Sequence, residues 1–151
     1  MSQKAIAKAE SIIKSKTAAE NMGVGVTLSL LDHEGYPTTS TLSIATAEGI
    51  RKLTFGVSLS SNKAKRVQAN PRGSVCIFDD NYEAGAYYNI TLVGDMEIIT
   101  DMEAKKAVWY EGLEAHFAGG VEDPDYCVLQ FTTKRYNLWV DMEEDATTGG
   151  F

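Results

Sequence analysis

The chain has 151 residues, with 14 Lys and Arg against 21 Asp and Glu, a net charge of −7 and a pI near 4.8. That size suits one compact domain with a sizeable core, and the acidic balance disfavours broad binding to nucleic acid or an anionic membrane. No apolar run approaches the ~20 residues that span a bilayer, and the first eight residues carry no signal-peptide core, so a cytoplasmic protein is expected.

Helical spacing of Ile6, Ala9 and Ile13, widened by Ile12, predicts a helix from residue 3 to about 20, with Gly23 as its stop. The period then changes to two. Val26, Leu28 and Leu30 alternate with Thr27 and Ser29, as in a half-buried strand. Asp32-His-Glu-Gly35 signals a turn, and 37–45 reads as the returning strand. Ala47-Glu-Gly49 turns the chain into a strand at 52–58. A short basic helix follows at about 62–69, stopped by Asn70-Pro71. Residues 74–78 form a short apolar strand, 79–81 a loop, and 87–100 a long strand with Gly94 as a bulge or bend.

Thr100-Asp-Met-Glu103 has the capping-box pattern and opens a helix expected to run towards His116. Gly119-Gly120 and Asp123-Pro-Asp125 form a loop. Two closing strands are expected near 127–133 and 136–140, and a loose polar tail from about 145 to 151. The whole reads as one domain over 1–151, a small antiparallel barrel of about seven strands with three peripheral helices. Cys76 and Cys127 sit in apolar runs without metal or redox spacing and read as reduced core residues. His33 and His116 are isolated, with no metal-ligand pattern around them.

The chemistry-bearing stretch is Leu53 to Pro71: a strand, a hydroxyl-rich turn and a basic helix. A helix start offers unpaired N–H groups and partial positive charge, so Ser60, Ser61 and Lys63 there make a candidate socket for a phosphate. The same residues equally describe a capped, solvated surface helix. Hydroxyls at 38–41 and the amide of Asn89 can bond a polar ring edge, or can simply line the wet face of a sheet. Tyr87, Tyr88, Trp109 and Trp139 can stack on a planar ligand or fill the core.

The order of motifs resembles a family. Asp32-His-Glu-Gly-Tyr-Pro37 precedes a strand, followed by Phe55, Ser61-Asn-Lys63 and Asn70-Pro71. Next come Gly94-Asp-Met-Glu-Ile-Ile-Thr-Asp101, a helix with Trp109, and Gly119 to Tyr126 before the closing strands. Across about 5–140 this resembles the pyridoxamine 5′-phosphate oxidase-like, FMN-binding split-barrel proteins, most closely the general stress protein 26 type. The resemblance implies a mainly β fold, a six- to seven-stranded antiparallel split barrel, and a homodimer with two FMN sites at the interface. It implies that Ser61 and Lys63 hold the FMN phosphate, with Asn62 beside them. Ser40, Thr41 and Leu42 match the strand facing the isoalloxazine edge, and Val57 and Ser58 the strand end beside the phosphate. Asn89 matches a polar contact to the flavin from the partner subunit, and Trp139 a residue reaching in from the other chain.

The departures from the family are specific. Ser40 and Asn62 stand where the vitamin-synthesising oxidases typically carry arginines, and Val57 where threonine is common. The C-terminal substrate motif with Arg and His is missing, because Lys134-Arg-Tyr-Asn-Leu-Trp139 offers Arg135 but no histidine. Oxidation of pyridoxamine phosphate itself is therefore not expected. The expectation is a flavin-dependent oxidoreductase acting on a small molecule, with no identifiable general acid or base. A non-catalytic flavin-binding module, or the same barrel holding haem or a deazaflavin, are the alternatives.

Overall fold

A computed structural model describes residues 2–22, 24–81, 83–84, 86–142 and 145–151, with Ser2 described in its backbone only. Gly23, expected as a helix stop, lies outside the described residues.

Helix α1 (Ser2–Ser15) lays Ala5, Ala9, Ile12 and Ile13 on the core. It stops five residues earlier than its periodicity suggests. The Ser15 and Thr17 hydroxyls donate to the carbonyls of Ile12 and Lys14, and the Ala18 amide leaves the helix to donate to Ile44 O. Hydroxyl side chains compete for the last carbonyls and unwind the end.

Eight strands form one antiparallel sheet: β1 (Val26–Leu31), β2 (Pro37–Leu42), β3 (Thr46–Glu48), β4 (Lys52–Ser58), β5 (Arg72–Asn81), β6 (Ala86–Ile99), β7 (Tyr126–Trp139) and β8 (Thr147–Gly150). Their order is β2-β1-β5-β6-β7-β4-β3, with β8 on β7. The two outermost strands, β2 and β3, are consecutive in the chain and separated by residues 43–45 only. So short a link forces the sheet to curl until its ends meet, which makes it a barrel. Inside lie Leu28, Leu53, Phe55, Val75, Ile77, Ile90, Leu92, Leu129 and Phe131, each at most 1% exposed. The fold is mainly β, as expected.

Several boundaries differ from the sequence reading. The expected 79–81 loop is strand, because Asp79, Asp80 and Asn81 pair with Tyr88, Tyr87 and Ala86. The two expected closing strands are one continuous β7. The extra, eighth strand comes from the tail expected to be loose. Thr147–Gly150 pairs with β7, Phe151 N–H donates to Lys134 O, and the Arg51 guanidinium lies 4.2 Å over the Phe151 ring. Cys76 is half-buried on the outer face rather than in the core, whereas Cys127 is fully buried.

Gly94 is a bulge, as its position in a long strand suggested. The β6–β7 register shifts between Val93 and Gly94, and a Cβ there would collide with Thr132 O. Helix α2 (Asn62–Ala69) has the bounds expected of it.

Helix α3 (Met102–Val108) is half the expected length. Its cap is Asp101, not Thr100: the Asp101 carboxylate accepts from Ala104 N–H. Trp109 is already extended and Gly112 adopts φ 111°, so the chain leaves the helix, turns, and forms a single 3-10 turn at Leu113–Ala115. The turn drives Leu113 and Phe117 into a second apolar cluster with Ala45, Val108, Tyr126 and Val128. Burial of those two side chains outweighs continuation of a seven-residue helix.

Candidate functional site

The strand–turn–helix of the socket is built by short-range hydrogen bonds. Ser61 is extended (φ −70°, ψ 156°), and its hydroxyl oxygen accepts from Ala64 N–H at 3.2 Å, so it caps α2. Lys65 N–H goes to Ser61 O. The amides of Asn62 and Lys63, in the first turn, have no acceptor within the helix. Ala64 and Val67 anchor the inner face of α2 in the core.

Ser60 does not join the socket. Its amide and hydroxyl both donate to the Asp125 carboxylate, at 2.9 and 3.0 Å, and Leu59 N–H donates to Asp125 O at 2.7 Å. Three bonds thus fasten the β4–α2 turn to the loop before β7. That loop is itself braced. The Asp123 carboxylate accepts from the Asp125 and Gly119 amides, which hold it below the usual carboxylate range with help from the Lys105 charge. Lys105, 6% exposed, donates to Asp123 O and lies 5.4 Å from the Tyr126 ring centre, and Tyr126 donates its hydroxyl to Lys105 O.

Above this frame is a cavity of about 340 Å³. Its walls are the end of β2 with its link (Thr41, Leu42, Ser43), the end of β4 (Gly56, Val57, Ser58), the start of α2 (Ser61, Lys63) and the arm after α3 (Tyr110, Leu113, His116, Phe117). Gly56 keeps it open: a Cβ there would come within 3.3 Å of both Leu113 methyls and within 3.4 Å of Tyr126. Val57 sends its side chain into the core, 4% exposed. Burial raises the Tyr110 hydroxyl above its usual range. Lys63 makes no ion pair among the described residues, and no carboxylate is among those lining the cavity.

Six of the ten residues singled out from the sequence meet here: Thr41, Leu42, Val57, Ser58, Ser61 and Lys63. Four stand elsewhere. Ser40 is one residue off the cavity wall on β2, opposite Leu28. Asn62 lines a neighbouring groove with Asp32, His33, Lys65 and Arg66. Asn89 and Trp139 are paired neighbours on β6 and β7. On that outer face the Asn89 side-chain oxygen accepts from the Thr91 hydroxyl at 3.2 Å, and Trp139 meets Tyr87 edge-on at 5.3 Å.

The sequence reading missed the arm. Tyr110, Leu113, His116 and Phe117 contribute a whole wall. The signal was Gly112, a helix breaker amid aromatic residues. Trp109, weighed earlier as a stacking platform, packs instead edge-on against Tyr126, ring centres 5.1 Å apart. Among the described residues no cluster of His, Cys, Asp and Glu can hold a metal ion. Among the described residues no helix is long and apolar enough to cross a membrane.

Several solved structures share this fold. A protein from Clostridium acetobutylicum related to general stress protein 26 is 23% identical, with 99% of this chain and 96% of that one covered and a TM-score of 0.81. A pyridoxamine 5′-phosphate oxidase-related, FMN binding protein from Nostoc punctiforme is 20% identical, with coverage of 97% and 87% and a TM-score of 0.71. A heme binding protein from Mycobacterium smegmatis is 21% identical, with coverage of 94% and 57% and a TM-score of 0.69. No curated protein matches the chain. The family model described as pyridoxamine 5′-phosphate oxidase matches residues 20–140, and with the split-barrel fold now in view the chain belongs to that family.

Proposed function

We propose that the protein binds FMN in this cavity and is a flavin-dependent oxidoreductase acting on a small molecule. One observation carries the reading: the start of α2, with Ser61 and Lys63, opens into the same space as the aromatic arm and the ends of β2 and β4. A phosphate monoester carries about −1.5 to −2 charges and needs several donors. The first-turn amides, the Ser61 hydroxyl and the Lys63 ammonium supply them. Ser58 stands beside that end. Thr41, Ser43 and Tyr110 offer polar groups to a ring edge, while Leu42, Leu113 and Phe117 offer apolar surface to its faces. The residues present therefore fit the group.

When bound, FMN supplies hydride or electron transfer at its ring. The chain's own contribution is to hold the phosphate, orient the ring between β2 and the arm, and exclude water with Leu113 and Phe117. The proposal includes a homodimer. Exposed Phe78, with Asn89, Tyr87 and Trp139 on the same outer region, forms the face that a second copy covers, and from there Asn89 and Trp139 reach the other subunit's flavin. Ser40 and Asn62, in place of arginines, leave Lys63 as the cavity's permanent cation, which sets the protein apart from the vitamin-synthesising oxidases.

Expression with riboflavin supplied, followed by a visible spectrum and native mass measurement, tests this directly. A yellow dimer with one flavin per chain is expected. A Soret band would replace FMN with haem, and an absorption maximum near that of a deazaflavin would replace it with that group. In the FMN case Lys63→Ala weakens binding about ten- to a hundredfold, the range of one charge-assisted contact. Bound FMN that neither NADH nor NADPH reduces, and that passes electrons to no acceptor, would make the protein a binding module instead.

A further inference from the structure

A phosphate monoester carries about −1.5 to −2 charges against the single ammonium of Lys63, and the cavity wall contains one further basic side chain. His116 sits on the arm, is exposed, and lines the same cavity as the start of α2. No carboxylate lines the cavity beside it. On its own segment Glu114 is turned away to accept from the Gly112 amide, and Glu111 is exposed. From the other walls the ionisable groups are Lys63 on α2 and Tyr110 at the base of the arm; β2 and β4 contribute only hydroxyls and apolar groups. Lys63 and His116 thus share one space of about 340 Å³.

We propose that His116, in its protonated form, is the second cation for the anionic end of the ligand, closing over the phosphate held by Ser61 and Lys63. This rests on the flavin reading above and assigns a role within the same site. Histidine as a residue type changes charge between about pH 5 and 8, so a pH series distinguishes such a contact from that of a permanently charged lysine. The arm is tied to the core by Leu113 and Phe117, 3% exposed each, which fixes the backbone that carries His116. His116 is a binding residue in this account, and no proton transfer to substrate is assigned to it.

The test compares FMN with riboflavin, which has the ring but no phosphate. Both are titrated by fluorescence quenching into the unsubstituted protein, His116→Gln and His116→Lys, from pH 6 to 9. The expected result is that His116→Gln weakens FMN about tenfold at pH 6, with the difference shrinking towards none by pH 9. Riboflavin affinity is unchanged, and His116→Lys holds FMN tightly across the range. Equal losses for FMN and riboflavin would place His116 on the ring and overturn the inference. So would His116→Gln binding FMN like the unsubstituted protein at pH 6. Binding of neither flavin by the unsubstituted protein would remove the functional reading itself, and the inference with it.

Discussion

At the scale of single residues the two cysteines make a contrast that can be measured. Cys127 is fully buried, and its thiol donates to Val57 O at 3.4 Å. Burial, aided by the nearby Asp125 charge, pushes that thiol up to about 11 from 9.0. Tyr126 beside it is pushed up to about 12 from 10.0, again chiefly by burial. In the unfolded chain both groups ionise at their lower, ordinary values. The unfolded state therefore sheds protons first, and stability, complete below about pH 9, falls as pH climbs from 9 towards 12. Urea midpoints at pH 8 and pH 10.5 should show the drop, and Cys127→Ala should flatten its first part. A thiol reagent should reach Cys127 only on unfolding, and half-buried Cys76, beside Asn89 on the proposed dimer face, faster in the monomer than in the dimer. Residue-level reading of the sequence located the helix start, where the chemistry is local: Ser61 caps α2 and Lys63 lies in its first turn. It failed for Ser60, whose hydroxyl is claimed by Asp125, 65 residues away.

Among the elements, α2 and β6 were legible because strong punctuation bounds them. Asn70-Pro71 ends the helix, and Gly94 marks the bulge where a side chain would strike Thr132 O. Gly94→Val should cost about 2–4 kcal/mol, read from the urea midpoint, since the obstacle is backbone that cannot yield. Ser61→Ala should cost about 1 kcal/mol by losing the cap. The arm was not legible, for a physical reason. Met102 to Glu111 carries mostly helix-compatible residues, and the break at Gly112 comes too late to mark an end at Val108, where burial of Leu113 and Phe117 draws the chain away. The strand β8 was hidden for the opposite reason. Thr147-Thr-Gly-Gly150 has weak intrinsic preference and is held by the edge of β7 and by stacking of Phe151.

Over the whole molecule, β7 is the spine. It pairs with β6 along nearly its full length, with β4 through Thr132 and with β8 from Arg135 onward. Removal of residues 145–151 therefore uncovers the second half of one edge but leaves the barrel closed. It should lower the melting temperature by about 5 °C, the size of 1–2 kcal/mol, without changing the far-ultraviolet spectrum in kind. The three bonds from Leu59 and Ser60 to Asp125 have a further consequence, for the order of events during synthesis. The turn before α2 emerges from the ribosome long before Asp125, the acidic side chain that fixes its posture. The wall bearing His116 also comes late. A nascent chain that ends at residue 120 holds both Ser61 and Lys63 yet has nothing to set them. On the FMN reading, cofactor capture then waits until Asp125 and β7 have followed, and an arrested chain ending at residue 120 should retain no flavin.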